Sequence, residues 1–235
     1  MSHFTVAVIH DEKKSIDEIL APYDENLKVP RHVRFTRAEA IDYAKRNFKN
    51  RCEGMSDDEA WKFMAENFRK DMIDDEGNLY STRNPNAKWD WYCVGGRWGG
   101  SLRLKSGETT DEARIRDVDF SPDEEEKEDA RAFWDAVVEG KIPEREDEEA
   151  FAIWNPEYYK KYYGDRETYA NSMAEFSTHA VVTEDGKWHE KGEMGWFGCS
   201  YETPEEAKTW ERDFREKFLK DVDPNLLITI VDCHT

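Results

Sequence analysis

The sequence predicts an α+β protein with a ferredoxin-like antiparallel sheet core and a largely helical, acidic insertion. Apolar, β-branched runs at residues 4–9 and 226–231 are typical of buried central strands. Between them lie several helix starts, each a serine or threonine followed three positions later by glutamate. Acidic runs at 123–126 and 144–149 interrupt this pattern and indicate an insertion in the middle of the chain.

Two helices are predicted after the first strand. Thr36 with Glu39 and Ser56 with Glu59 both fit the capping box, in which hydroxyl and carboxylate each bind a backbone N–H group. We expect the preceding residues 19–30 to be irregular, because prolines stand there among mixed polar residues. This part of the chain is therefore predicted to be a loop followed by two helices.

The remaining core elements alternate in the same way. They are strands at 89–94, 101–104 and 179–183, a turn at 184–187 with a return strand from Trp188, a helix capped by Thr203, and the last strand. In a βαββαβ core of this order, the first strand lies between the last strand and the strand that begins near His179. This topology predicts which strand ends share one edge of the sheet.

We expect the core to be assembled from two separated parts of the chain. Residues 1–106 supply the N-terminal half and residues 176–235 the C-terminal half. Residues 107–175 form the insertion, which contains a short amphipathic helix at 130–138 and a tyrosine-rich helical stretch from Tyr158. The prediction is thus an acidic helical module inserted into an α+β core.

Charge and composition limit the classes of partner. The net charge of -19 repels nucleic-acid backbones and anionic membranes, so we expect no direct nucleic-acid or membrane binding. The four cysteines have no CxxC spacing, which favours reduced thiols. No signal peptide or apolar membrane span is evident, so the expected location is the cytoplasm, or a host cytoplasm. The aromatic content of 13% is sufficient for a folded core.

A segment rich in tryptophan and glycine is the predicted ligand-binding surface. Its glycines permit close backbone approach and a nest of N–H groups for an anion, Arg97 can hold a phosphate, and the aromatic faces can stack on a base or sugar. The predicted binding residues are Trp89, Trp91, Tyr92, Gly95, Gly96, Arg97 and Trp98, with Trp196 from a similar segment as the other wall. A tight hairpin with its aromatics in the core is the competing interpretation.

A second candidate site depends on the predicted topology. His3, His179, Asp232 and His234 would meet at one end of the sheet. Imidazoles beside a carboxylate suit general acid–base catalysis, and Asp232 with His234 could ligate a divalent metal.

The run His3-Phe4-Thr5-Val6 resembles the His-apolar-Thr-apolar motif of 2H phosphoesterases, which cleave phosphodiesters with two such motifs. His179-Ala180-Val181 lacks the threonine of a second motif. The resemblance implies catalytic roles for His3 and Thr5, and the predicted topology adds His179 and His234 as the other candidate catalytic residues.

Longer motifs resemble an uncharacterised family of bacteriophage and bacterial proteins. These are SHFTVAVI, LAPYDEN, the run NPNxKWDWY with GGRW, and the closing TIVDCH. The resemblance covers both ends and the middle of the chain and implies a phage accessory role, such as countering a host defence.

Two hypotheses of function follow. In the first, the protein binds, or also hydrolyses, a nucleotide or another phosphate-bearing signalling ligand; as an enzyme it would be a phosphodiesterase-like hydrolase. In the second, it is an acidic protein-interaction inhibitor or nucleic-acid mimic that docks a host protein through region 117–149.

Overall fold

A computed structural model describes residues 2–141, 155–192, 194, 200 and 202–235. The chain divides into two compact units, here called the large unit (Met1–Ala21 with Lys88–Thr235) and the small unit (Pro22–Ala87). Both contain helices and strands, which confirms the predicted α+β class. Among the described residues, every helix is too short or too polar to cross a membrane.

The described residues form the following regular elements. The strands are β1 (His3–His10), β2 (Lys28–Phe35), β3 (Leu79–Arg83), β4 (Trp91–Val94), β5 (Leu102–Arg103), β6 (Thr109–Thr110), β7 (Glu112–Arg114), β8 (Ala180–Val182), β9 (Trp188–Glu190) and β10 (Leu227–His234). The α-helices are α1 (Ile16–Leu20), α2 (Arg37–Asn47), α3 (Lys49–Cys52), α4 (Asp57–Ala65), α5 (Glu124–Phe133), α6 (Pro156–Tyr163), α7 (Arg166–Ala174) and α8 (Pro204–Phe218). Short 3₁₀ turns include Gly96–Trp98.

The main sheet of the large unit has the strand order β4-β10-β1-β8-β9, and β7 pairs with the other end of β10. As predicted, β1 lies between β10, which is antiparallel to it, and β8, which is parallel. The outermost strand β9 follows β8 through a hairpin turn, whereas β4 extends the sheet beyond β10. The start of β1 and the end of β10 lie at the same end of the sheet, which carries the candidate site.

One face of this sheet is closed by α8. Thr203 and Glu206 form the capping box that begins this helix, and Phe214 is fully buried against the sheet. Ile9 of β1 and Ile228 of β10 belong to the same apolar cluster. Full burial of one large apolar side chain stabilises the fold by roughly 1.5–3 kcal/mol. The packing of these side chains against α8 therefore fixes the register of the central strands.

The two strands predicted on either side of the glycine-rich segment, at 89–94 and 101–104, belong to different sheets. β4 pairs with β10, but β5 pairs with β6 in a separate two-stranded sheet. The 3₁₀ turn at Gly96–Trp98 and the positive φ of Gly100 redirect the chain between them.

The predicted insertion, residues 107–175, contains both strand and helix. Its first part supplies β6 and β7, so the large sheet extends into it. Its described helices α5, α6 and α7 share an apolar cluster around Trp134 and Tyr169. Region 117–149 is described only as far as residue 141, so the rest of that acidic candidate surface lies outside the described residues.

The small unit packs two strands against helices. β2 and β3 are antiparallel, and α2 and α4 begin with the capping boxes expected at Thr36 and Ser56. Leu79, Ala40 and Ala60 are among the buried residues that join the strands to the helices. Strand β2 begins within the segment 19–30 that was expected to be irregular, and Pro30 is accommodated by an irregular pairing between β2 and β3.

Candidate functional site

The candidate site lies at the end of one face of the main sheet. His3 is opposite His234 in the β1–β10 pairing, and Thr5 is opposite Asp232. On the other side of β10, Trp91 is opposite His234. Since directly opposed residues on neighbouring strands point to the same face, these side chains form one group.

His3 is held by a buried carboxylate. Its Nδ1–H donates to Oδ1 of Asp232 at 2.8 Å, and the other oxygen of Asp232 accepts the backbone N–H of Arg97 at 3.1 Å. The side chain of Asp232 is 3% exposed, while that of His3 is 18% exposed. A carboxylate on Nδ1 fixes the tautomer and orientation of an imidazole and leaves Nε2 available for chemistry.

His234 repeats this arrangement from the neighbouring strand. Its Nδ1 contacts Oδ1 of Asp90 at 2.5 Å, and the backbone N–H of Asp90 donates to the carbonyl oxygen of His234 at 3.0 Å. The rings of His3 and His234 are 5.1 Å apart in an edge-to-face arrangement. Within the described residues neither Nε2 atom has a hydrogen-bond partner, so two oriented and accessible imidazoles lie side by side.

Two predicted ligand-binding residues are beside this pair. Trp91 is 52% exposed, and its ring lies 6.4 Å from that of His3. Arg97 is exposed, and its backbone N–H donates to Asp232. Among the described residues of the large unit, the guanidinium of Arg97 has no ion-pair or hydrogen-bond partner, while those of Arg103 and Arg166 pair with carboxylates. An exposed aromatic face thus adjoins the histidines, and the backbone of Arg97, whose cation is uncompensated, is bonded to the carboxylate that holds His3.

The glycines of the turn serve the protein itself. Gly96 has a φ of 58°, and a Cβ there would lie 2.4 Å from Cβ of Asp232. At Gly95, a Cβ would lie 2.4 Å from a carboxylate oxygen of Asp111. Asp111 also accepts the N–H of Gly100, and the N–H groups of Gly95, Trp98 and Gly99 donate to backbone carbonyl oxygens. The glycines were predicted to let a ligand approach the backbone closely. They instead let the backbone approach Asp232 and Asp111, and the N–H groups expected to bind an anion bind acceptors within the protein.

Replacing Gly96 by alanine is expected to destabilise the large unit by about 1–3 kcal/mol, because the left-handed backbone is strained for alanine and the new methyl group meets Asp232. Denaturant unfolding followed by tryptophan fluorescence measures the loss. Gly107→Ala is the matched control, since Gly107 also has a positive φ but a Cβ added there would meet nothing within 4 Å. Equal losses in the two variants would contradict a specific close approach at Asp232.

Three of the predicted binding aromatics have structural roles. The indole N–H of Trp89 donates to the carbonyl of Leu20 at 3.1 Å, and its side chain is buried. Tyr92 lies on the other face of β4 and donates its hydroxyl to Asp17. Trp98 packs against the apolar cluster under α8. Trp196 lies outside the described residues.

The structure does not bring His179 to the histidine pair. Its ring contacts Phe4 at 5.3 Å, and Phe4 alternates with His3 onto the opposite face of β1. Burial, with Lys191 nearby, lowers the pKa of His179, so it is neutral near neutral pH. The prediction that the His179 side chain joins the other histidines was wrong. His179 lies just before β8, and its side chain does not follow the alternation of that strand. Only its backbone N–H approaches the site, where it donates to Oγ1 of Thr5 at 3.1 Å.

A cavity of about 410 Å³ adjoins Thr5 on the face that carries His3. Thr5, Trp98 and Ile230 line one side of it, and Arg103 contributes its cation. Several carboxylates and hydroxyl groups complete the wall, which favours hydroxyl or amino groups of a ligand over its phosphate. A phosphate would fit better at Arg97 and the histidines.

Cys93 and the predicted metal ligands Asp232 and His234 also lie at this end of the sheet. Burial raises the pKa of Cys93, with Asp232 and Asp111 nearby, so the thiol stays protonated. Asp232 and His234 bind different partners, and the described residues include no group of three or more histidine, cysteine or acidic side chains arranged to hold a metal ion. The metal site at Asp232 and His234 therefore stays a sequence-based prediction.

Asp111 is a site residue that the sequence reasoning did not identify, and the partner of Asp90 was not predicted. Asp90 orients His234, and Asp111 fixes the glycine turn. Asp90 stands between two tryptophans, and its charge among these aromatic residues favoured a functional role without indicating His234 as its partner.

Comparison with protein-family models, with curated proteins and with solved structures found no match to the chain.

Proposed function

We propose that the protein binds a nucleotide or another phosphate-bearing signalling ligand at the His3–His234 pair and cleaves a phosphodiester bond in it. The observation that carries this proposal is the pair itself. Two imidazoles on adjacent strands are each oriented at Nδ1 by a carboxylate, with ring centres 5.1 Å apart. General acid–base cleavage needs two such groups on opposite sides of one phosphorus atom.

The proposed reaction uses one histidine in each protonation state. The neutral imidazole accepts a proton at Nε2 from the attacking water or ribose hydroxyl, which forms a bond to phosphorus. The protonated imidazole donates a proton from Nε2 to the leaving oxygen as its bond to phosphorus breaks. Asp232 and Asp90 hold the two rings in place by accepting the hydrogen bond from Nδ1–H, so that each Nε2 faces the ligand.

Binding would be shared by the neighbouring residues. Arg97 offers a bidentate contact to phosphate oxygens, and the exposed ring of Trp91 offers a face for a base. Arg97 is not neutralised within the described part of the large unit, although the whole chain has a charge of -19. An uncompensated cation in an acidic protein supports an anionic ligand at this position.

The test is a product analysis with a defined panel of ligands. The protein is incubated with cyclic dinucleotides, cyclic trinucleotides and ADP-ribose derivatives, then heated, and the released compounds are resolved by chromatography. We expect a linear or shortened product from at least one of them, and far less product in the same time with His3→Gln protein. Ligand that is bound but recovered intact would overturn the hydrolase and support a sequestering protein with the same pocket.

The resemblance to bacteriophage proteins gives this activity a biological setting. We propose that the ligand is a signalling nucleotide of a host defence, which the protein destroys or sequesters. Cells that express the protein would then contain less of the free signal when the defence is induced. Unchanged signal levels in cells that contain folded protein would contradict this role.

A further inference from the structure

The charge of the chain is unevenly distributed between the two units. Residues 22–87, the small unit, contain 12 Lys and Arg and 13 Asp and Glu, whereas the whole chain has 34 and 53. The small unit is therefore close to neutral, and nearly all of the net charge of -19 resides elsewhere. Because a ligand responds to the local field, the net charge of the chain does not exclude an anionic partner here.

Two cavities of the small unit meet along its two strands. One has a volume of about 690 Å³ and the other about 660 Å³, and both are lined by Arg34, Phe35, Ser81 and Arg83. Together they form a groove, here called the arginine groove, that follows β2 and β3. The two cavities share Arg34 and Arg83, and their combined volume gives the groove room for more than one nucleotide.

The cations of the arginine groove are largely uncompensated. Lys28, Arg34, Arg51 and Arg83 line it, and among the described residues none of their side chains has a carboxylate within ion-pair distance. Elsewhere in the same unit, Arg37 pairs with Asp58 at 2.5 Å. Four cations without an ion-pair partner thus line this groove, whereas Arg69, which also lines it, pairs with Asp71.

Aromatic side chains accompany these cations. The rings of Phe35, Tyr43, Phe48 and Phe63 line one half of the groove and contact one another in sequence, with ring centres 5.1–6.2 Å apart. Phe48 is among the exposed large apolar residues of the protein. Arg34 already lies over aromatic rings, 5.5 Å from the centre of Phe35.

From this combination we infer that the small unit binds single-stranded nucleic acid in the arginine groove. Arg34, Arg83 and Lys28 contact successive phosphates, and the aromatic rings contact unpaired bases. A duplex would leave the rings unused, because its base faces are stacked on one another, whereas a single strand presents both a phosphate chain and free base faces. This inference does not depend on the proposed cleavage at the His3–His234 pair.

Fluorescence anisotropy of a labelled 12-nucleotide oligothymidylate, with the full-length protein at low salt, tests the inference. We expect saturable binding that weakens as salt rises, with at least a fivefold loss of affinity for Arg34→Ala and for Arg83→Ala, as estimated from roughly 1 kcal/mol or more per charged contact. Each substitution should also make the salt dependence less steep by about 0.7 in log–log slope. A gel run after the measurement shows that the oligonucleotide is intact.

Arg46→Ala is the matched control, because Arg46 is an exposed arginine of the same unit that lines neither cavity. We expect less than a twofold change, and Arg34→Lys should retain much of the binding. The inference is overturned by a lack of binding up to about 100 µM, the weak end of non-specific association. It is equally overturned if Arg46→Ala weakens binding as much as Arg34→Ala, or if a duplex or polyglutamate competes as well as the single strand. Thermal melting confirms that each variant is folded.

Discussion

Replacing His3 or His234 by glutamine is expected to lower the rate of phosphodiester cleavage by about 10²–10⁴-fold, the usual contribution of a positioned general acid or base. Glutamine keeps a polar side chain of similar length but cannot exchange a proton near neutral pH. Because each ring is partly exposed and lies at the end of its strand, the fold should survive both changes. Steady-state kinetics on the ligand found by product analysis gives the rate.

The two substitutions should also be non-additive. If His3 and His234 act in one transition state, the double variant should lose little more than the worse single variant. The loss should fall mainly on kcat, since Arg97 and Trp91 would still hold the ligand. His32→Gln is a suitable control, because His32 belongs to the small unit and bonds only to the carbonyl of Pro30 among the described residues. A double variant whose loss equals the product of the two single losses would argue against joint action.

Much of the fold could be predicted from local patterns. The central strands β1 and β10 are continuous apolar runs, and the capping boxes at Thr36, Ser56 and Thr203 each begin a helix. These signals are contained within a few neighbouring residues, so they are visible in the sequence. The position of β1 between β10 and β8 followed from the order of the elements.

Strand β2 could not be recognised in this way. Its sequence KVPRHVRF contains a proline and several charges, and no residue of it is fully buried. The strand forms because β3 pairs with it and the helices cover one side, which are contacts between residues far apart in the chain. The arginine groove shares this origin, since Arg34 and Arg83 come together only in the folded unit.

Some contacts of the candidate site could be predicted from the order of the strands, and others could not. His3 and His234 were placed together by topology alone, because they stand at the first and last positions of neighbouring antiparallel strands. The partnership of Asp90 with His234 required the pairing of β4 with β10, which no local pattern specifies. The same limit explains Gly96, whose role depends on Asp232 more than a hundred residues away.

Asp232→Asn is expected to lower the cleavage rate by about 10²–10⁴-fold while leaving the fold almost intact, which would identify Asp232 as a positioning residue. Asp232 accepts two hydrogen bonds, from Nδ1–H of His3 and from the backbone N–H of Arg97. Asparagine has only one acceptor oxygen. The lower-energy arrangement keeps that oxygen on the Arg97 N–H, because a buried backbone donor without a partner costs about 1–3 kcal/mol.

The amide NH₂ of asparagine would then face His3, whose Nδ1 must become an acceptor. The proton of the neutral ring moves to Nε2, and His3 can no longer accept a proton from a nucleophile there. Nitrogen-15 spectra of the histidine rings should show this change of tautomer, which a purely structural role for Asp232 would not produce. Asp90→Asn provides the parallel case at His234. If the Asp232→Asn protein shows the changed tautomer but cleaves at the original rate, His3 is not the base, and the proton must be accepted by another group.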